Sequence, residues 1–221
     1  MADFQKIKVT KDGPYRVSGS VPLAGQIILI DADGESHGWR EGQKYQRHEN
    51  YRLCRCGHSE NKPFCDDTHL HIYFDGTETA DNKSYLGQAR GITGPDLVLT
   101  DKRNLCASAR FCDRAGGIWK LTRESDKTPA RQTAIEEAGD CPSGRLVVWE
   151  QNREAIEPDF ERSIGLVLDA RKNAMGPLWI RGGIPVESAK GIIYEIRNRV
   201  TLCRCGKSLN KPFCDGRHLI K

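Results

Sequence analysis

Short apolar runs broken by glycine and proline recur along the chain and predict strands and tight corners more often than helices. Gly13-Pro14 opens a turn, Tyr15-Arg16-Val17 reads as a short strand, and Gly19-Ser20-Val21-Pro22 closes as a corner. The same order returns at Gly176-Pro177, Leu178-Trp179-Ile180 and residues 182–185. Residues 26–30 and 192–196 are apolar, β-branched stretches that predict a strand in each copy. Tyr51-Arg52-Leu53 and Val200-Thr201-Leu202 predict a final strand that delivers a cysteine. A helix is expected over residues 129–138, with Thr128 as N-cap and Pro129 at the first position. Asp31-Ala32-Asp33-Gly34-Glu35 predicts a hairpin turn, because the closing glutamate of a calcium loop is missing. The fold class expected is β-rich α+β.

The repetition extends to chemistry. Residues 53–70 and 202–219 differ at only four positions: His58, Glu60, Asp67 and Thr68 in the first copy stand against Lys207, Leu209, Gly216 and Arg217 in the second. Both copies keep three cysteines and one histidine. These are Cys54, Cys56, Cys65 and His69, then Cys203, Cys205, Cys214 and His218. The spacing C-x-C-x8-C-x3-H predicts that the closing cysteine and histidine share one face of a helical turn. Pro63 and Pro212 rigidify the entry, and Asp66 and Asp215 are placed to cap the free amides of that turn. Zinc also accepts this donor set, but its cysteine pairs usually stand two to four residues apart. A one-residue gap suits a cluster in which one iron takes two neighbouring thiolates.

These motifs resemble the CDGSH iron-sulfur (mitoNEET-like) family, and the second copy carries Cys214-Asp215-Gly216-Arg217-His218 against its signature. The first reads Cys65-Asp66-Asp67-Thr68-His69, with Asp67 where the family has glycine. The resemblance implies a 2Fe-2S cluster at each motif, one iron on the two C-x-C sulfurs and the other on Cys65 with His69, or Cys214 with His218. It also implies that Ser59, Ser208, Asp66 and Asp215 hydrogen-bond around the ligands. Homodimeric members interleave two such units in a shared β-sandwich, so this chain is expected to be a monomer of two pseudo-twofold-related units, 1–71 and 162–221. The first copy has 39 residues between Pro14 and Cys54, against 25 between Pro177 and Cys203, so it holds an insertion within about residues 31–48.

Residues 72–161 align with neither copy and carry Cys106, Cys112 and Cys141, the last followed by proline. This pattern resembles the ligand pattern of small bacterial ferredoxins and implies an inserted ferredoxin-like α+β segment. Three cysteines suffice for a 3Fe-4S cluster and a divergent 4Fe-4S cluster is the other form, but the missing fourth cysteine favours a remnant whose thiols are buried or empty.

Composition sets the remaining bounds. Nine cysteines cannot pair completely with one another, which favours metal use in a reducing compartment over a disulfide framework. The formal charge of +4 is spread without a basic run, giving no reason to propose nucleic acid. The first residues lack an apolar core and no run approaches a membrane span, so a cytoplasmic protein without a membrane anchor is expected. Gly116-Gly117 and Gly182-Gly183 read as turns, and His37, His48 and His71 as exposed histidines. No substrate pocket is evident. The expected role is not enzymatic but one-electron transfer or redox sensing with a redox partner, the alternative being a scaffold or donor that passes a cluster to an apo-acceptor protein.

Overall fold

The computed structural model describes residues 4–220. Five strands precede or enclose the first motif region: β1 (Lys6–Val9), β2 (Tyr15–Ser18), β3 (Leu23–Ile30), β4 (Ser36–Lys44) and β5 (Asn50–Leu53). The middle of the chain supplies β6 (Arg90–Thr93), β7 (Leu97–Asp101), helices α1 (Ile118–Arg123) and α2 (Thr128–Asp140), β8 (Leu146–Glu150) and β9 (Ala155–Ile156). The last part contributes β10 (Ser163–Asp169), β11 (Ala174–Arg181), β12 (Val186–Glu187) and β13 (Arg199–Leu202). Three sheets result, with orders β12-β1-β2-β5, β13-β11-β10-β3-β4 and β6-β7-β8-β9, making a β-rich α+β fold.

The first two sheets exchange strands. β12 of the last part runs parallel to β1, pairing Val186 with Ile7, while β3 of the first part runs parallel to β10, pairing Leu23 with Ile164. Around each exchanged strand the pairing repeats: β1 with β2 and β2 with β5 on one side, β10 with β11 and β11 with β13 on the other, all antiparallel. One core therefore belongs to both parts, since Ile7, Val17, Leu23 and Leu53 pack in the same buried cluster as Ile164, Ile180, Val186 and Leu202. A strand that leaves its own half buries its apolar face only against the other, which couples the two halves energetically.

The insertion in the first copy is the turn after β3 together with β4, which forms a hairpin with β3. Asp31 Oδ1 accepts the amides of Asp33 and Glu35 at 3.1 and 2.8 Å, an Asx-type turn that explains the Asp-x-Asp-Gly-Glu pattern without a cation. β4 docks the middle segment. The Trp39 ring packs 4.9 Å from Phe111 and 4.6 Å from Trp179, and its Nε1 donates to Asp140 O at 3.1 Å.

Three local expectations differ. Residues 192–196 are not a strand: after two residues of β12, Ser188 turns the chain back, its hydroxyl accepting the Ile192 amide, and Ile192, Ile193 and Ile196 remain exposed while only Tyr194 is buried. Gly176-Pro177 lies inside β11 rather than opening it, opposite an irregular register in β10 between Leu166 and Leu168. Thr128 is the first residue of α2 rather than its cap, and Lys127 holds the cap position with no side-chain bond. The helix precedes Cys141 as expected, but it runs two residues past Ala138 and ends at Asp140, with Cys141 at its C-cap.

Candidate metal centres

Each motif hangs between a delivering strand and a short 3-10 turn. β5 ends at Leu53 and β13 at Leu202, so the next residue in each case is the first cysteine. The backbone then closes on itself: Cys54 N donates to Pro63 O and Cys65 N to Arg52 O, with Cys203 N to Pro212 O and Cys214 N to Thr201 O as counterparts. A buried arginine fixes each loop from behind. Arg55 donates to the carbonyls of Gly13, Gly76 and Thr10, and Arg204 to those of Gly176 and Val167, so both bond the glycine of a Gly-Pro pair.

The donor atoms fall into two close pairs in each motif. Cys54 and Cys56 sulfurs lie 3.7 Å apart and Cys65 Sγ lies 3.4 Å from His69 Nδ1. In the second motif the same distances are 3.6 Å for Cys203 with Cys205 and 3.5 Å for Cys214 with His218. The four-residue spacing therefore does bring cysteine and histidine together, but through a left-handed residue, Asp67 or Gly216, and a 3-10 turn, Thr68–Leu70 or Arg217–Leu219, rather than one α-helical face. Backbone amides point at the sulfurs: Gly57 N at Cys54 Sγ (3.3 Å), Asp67 N at Cys65 Sγ (3.4 Å) and Gly216 N at Cys214 Sγ (3.4 Å). Such donors stabilise thiolate and tune a metal bound to it.

The serines and aspartates act on the loop rather than on sulfur or imidazole. Ser59 Oγ donates to Phe64 O at 2.6 Å and accepts the Asn61 amide, and Ser208 repeats both bonds with Phe213 and Asn210. Asp66 accepts the amides of Glu60 and Thr68, while Asp215 accepts those of Leu209 and Arg217, so the carboxylate does bond the first amide of the turn. The Thr68 hydroxyl and these amides hold the Asp66 carboxyl well below the usual carboxylate range.

The glycine position differs for a steric reason. Asp67 and Gly216 both have left-handed backbone, with φ of 68° and 87°. Asp67 tolerates it, and its carboxylate forms a two-pronged pair with Arg52 at 2.7 and 3.0 Å. At Gly216 a Cβ would stand 2.4 Å from Ser108 Oγ and 3.1 Å from Cys106 O. Only the second motif is covered by the middle segment at this point. Asp67 also joins Cys65 and His69 in a set of ligand atoms within 4.8 Å of one another, which has no second-motif counterpart because Gly216 has no side chain.

Burial pushes the Cys56, Cys65 and Cys214 thiols up, so these sulfurs resist ionising until a cation replaces their protons. Cys203 is instead pulled down by its hydrogen bond with Cys205, whose own pKa rises in consequence. Burial, with Arg204 nearby, lowers the pKa of His218 and favours the neutral imidazole that a metal requires.

The two motifs touch. A Cβ at Gly57 would stand 2.8 Å from Cys205 O, and one at Gly206 would stand 2.6 Å from Cys56 O, a reciprocal contact of the two C-x-C-G turns. Farther along, Cys106, Cys112 and Cys141 line one cavity together with Ala109 and Arg145, so the structure gathers all three middle cysteines. Arg145 also borders an open cleft with Arg90, Lys102, Arg103 and Trp119. All nine cysteines are free thiols. His37, His48 and His71 are exposed, as expected. Among the described residues no helix is long and apolar enough to cross a membrane.

The buried arginines and the Trp39 dock are the parts that the sequence reading missed. Arg55 and Arg204 are identical in the two copies, and that identity was the available signal.

The family model described as an iron-binding zinc finger of CDGSH type matches residues 12–70 and again 175–219, and a divergent 4Fe-4S mono-cluster model matches residues 92–151. No curated protein and no solved structure gives a significant match to the chain. Two CDGSH matches flanking a divergent 4Fe-4S match, over the same residues that carry the paired thiols and the cysteine-lined cavity, make this chain a tandem CDGSH-type iron-sulfur protein with a ferredoxin-like middle segment.

Proposed function

We propose that each motif binds one 2Fe-2S cluster, through Cys54, Cys56, Cys65 and His69 and through Cys203, Cys205, Cys214 and His218, and that the protein works in one-electron transfer or redox sensing. The observation that carries this reading is the division of each donor set into two pairs, each 3.4 to 3.7 Å apart. A single tetrahedral zinc would gather all four donors around one point. In the first motif, the set drawn within 4.8 Å contains Cys65 and His69 but neither sulfur of the C-x-C pair. Two pairs with separate bites suit two irons.

When bound, such a cluster supplies one reversible electron. The residues do the rest. The amides of Gly57, Asp67 and Gly216 stabilise negative charge on sulfur, and Arg55 and Arg204 hold the loops so that ligand positions change little between oxidation states. His69 and His218 turn Nδ1 toward the paired sulfur, contributing a neutral ligand where a fourth thiolate would add charge. The strand exchange and the shared core support a monomer with two related units, 1–71 and 162–221, around the segment 72–161. The role assigned is that of a soluble carrier in the cytoplasm rather than an enzyme.

The test combines analysis and substitution. Four irons and four acid-labile sulfides at minimum, with two 2Fe-2S signals in paramagnetic resonance after reduction, are expected, and a colourless folded protein with two zinc ions would refute the reading. His69→Cys and His218→Cys each add a negative charge at one iron, so each should lower the potential of its own site and slow loss of visible absorbance at mildly acidic pH. Transfer of intact clusters to an apo-ferredoxin, faster than electron exchange, would favour the donor alternative.

A further inference from the structure

The second motif and the middle cysteines share a wall that the first motif lacks. On one side of it the Cys106 carbonyl and Ser108 hydroxyl press on Gly216, leaving no room for a side chain. On the same side, Asn210 Nδ2 donates to Asn104 O at 3.1 Å, tying the two loops just before their cysteines. From the other side comes Arg199, on the strand that delivers Cys203. It is 1% exposed and donates to Cys141 O at 2.8 Å, and also to the carbonyls of Ala138 and Leu146. The first-motif residue at this place in the strand is Asn50, which is exposed. Two of the three middle cysteines are thus bonded or packed, within one or two residues, to the second motif.

The middle cavity fits an iron-sulfur centre with an incomplete protein ligand set. Its three cysteines converge on one space, and a C-x2-C-x2-C run would place its central thiol at the position occupied by Ala109, which lines the same cavity. Three sulfurs satisfy a three-iron centre, or a four-iron centre whose last iron takes a ligand from solvent.

We infer that the middle site and the second motif form a directly coupled redox pair, and that the first motif exchanges electrons with the middle site only through the second. This rests on the reading that both motifs hold clusters. In the step, one electron leaves the centre held by Cys106, Cys112 and Cys141 and enters the centre held by Cys203, Cys205, Cys214 and His218. No bond forms or breaks and no proton moves. From there the reciprocal contact of the turns at Gly206 and Gly57 leads to the first motif. The electron is supplied by a one-electron reductant, which in the test is dithionite.

The full chain, purified without oxygen, is reduced stepwise with dithionite and followed by paramagnetic resonance, with the two motif signals assigned from Cys65→Ala and Cys214→Ala variants. The second-motif signal should relax faster than the first, through magnetic coupling to the middle centre, and iron should total about seven or eight per chain. Gly216→Asp gives the second motif the residue of the first and forces Ser108 and Cys106 away, so the fast relaxation should be lost. Asp67→Gly should leave it unchanged. Should Gly216→Asp fail to fold, Cys112→Ser removes a middle ligand and should abolish the coupling without touching the motif. Fast relaxation confined to the first-motif signal, or equal relaxation of both signals with all irons present, overturns the inference. So does a total of four irons with both motif signals intact, and in these cases the two-cluster reading stands. Absence of a motif signal would instead refute that reading.

Discussion

Both carboxylate oxygens of Glu137 on α2 are buried without a hydrogen-bond partner, and burial pushes its pKa up to about 8. The charges that face it are Arg114, Asp113, Glu35 and Asp140, and Arg114 is already paired with Asp140 at 3.1 Å. The native state therefore keeps a proton on Glu137 that the unfolded chain releases above its ordinary range near 4.5. Between those two values the unfolded state binds fewer protons, so stability falls as pH rises. With each pKa unit worth about 1.4 kcal/mol, the loss attributable to this group from pH 5 to pH 7 is about 2 to 3 kcal/mol. Glu137→Gln should flatten that slope, and thermal midpoints of both proteins at pH 5 and pH 7 measure it; parallel slopes would mean that Glu137 is ionised in the fold. The cysteine and histidine pairs of the two motifs were legible in the sequence because their spacing is local and occurs twice. Glu137 was not, because its position on a helix says nothing about which side will be covered by β4 and residues 111–116.

At the level of elements, Arg55 shows how a loop of few regular hydrogen bonds is held. The residue is 2% exposed, and its guanidinium meets three carbonyls and lies 5.2 Å from the centre of the Phe74 ring. Removing it leaves those carbonyls without donors in a closed space, at a cost of about 3 to 5 kcal/mol. Arg55→Ala should therefore lower the denaturation midpoint and speed loss of visible absorbance from the first motif, and Arg55→Lys should recover only part, since an ammonium cannot reach three carbonyls as a planar fork does. A midpoint equal to that of the unaltered protein would show the loop to be held elsewhere. Legibility here was uneven. β5 and β13 were readable because each runs into a cysteine, and the turn at Asp31 because its bonds are local. The stretch 192–196 misled, since branched apolar residues favour a strand only where a neighbour is present to pair and cover them, and β12 ends after two residues. Which residue caps α2 was equally hidden, as Thr128 enters the helix and Lys127 takes the cap position without a side-chain bond.

Across the whole molecule the exchange of β3 and β12 decides what can stand alone. A piece comprising residues 1–71 would keep β1, β2 and β5 but lose β12 from the edge of β1, and its β3 would face water without β10. The full chain should be monomeric at all concentrations, whereas that piece should either associate with a second copy or remain unfolded; sedimentation of both checks this. A folded monomeric piece would mean that the exchanged strands contribute little. Neither exchange was visible in the sequence, because register between distant strands is settled by tertiary pairing, whereas the expectation of two interleaved units came from the family resemblance. The packing of β4 against the middle segment was hidden for the same reason.

The covalent joining of the two motif units has a further consequence at Asp67 and Gly216. When two identical chains build a pair of sites, one codon writes both, and any change that suits one site is imposed on its twin. Here the codons are separate. A left-handed position that must stay bare where Ser108 leans on it carries a charged side chain at the other site, where an arginine meets it. Each site is thus free to be tuned to a different neighbour, and a single polypeptide gains two motifs that need not be copies of one another in behaviour.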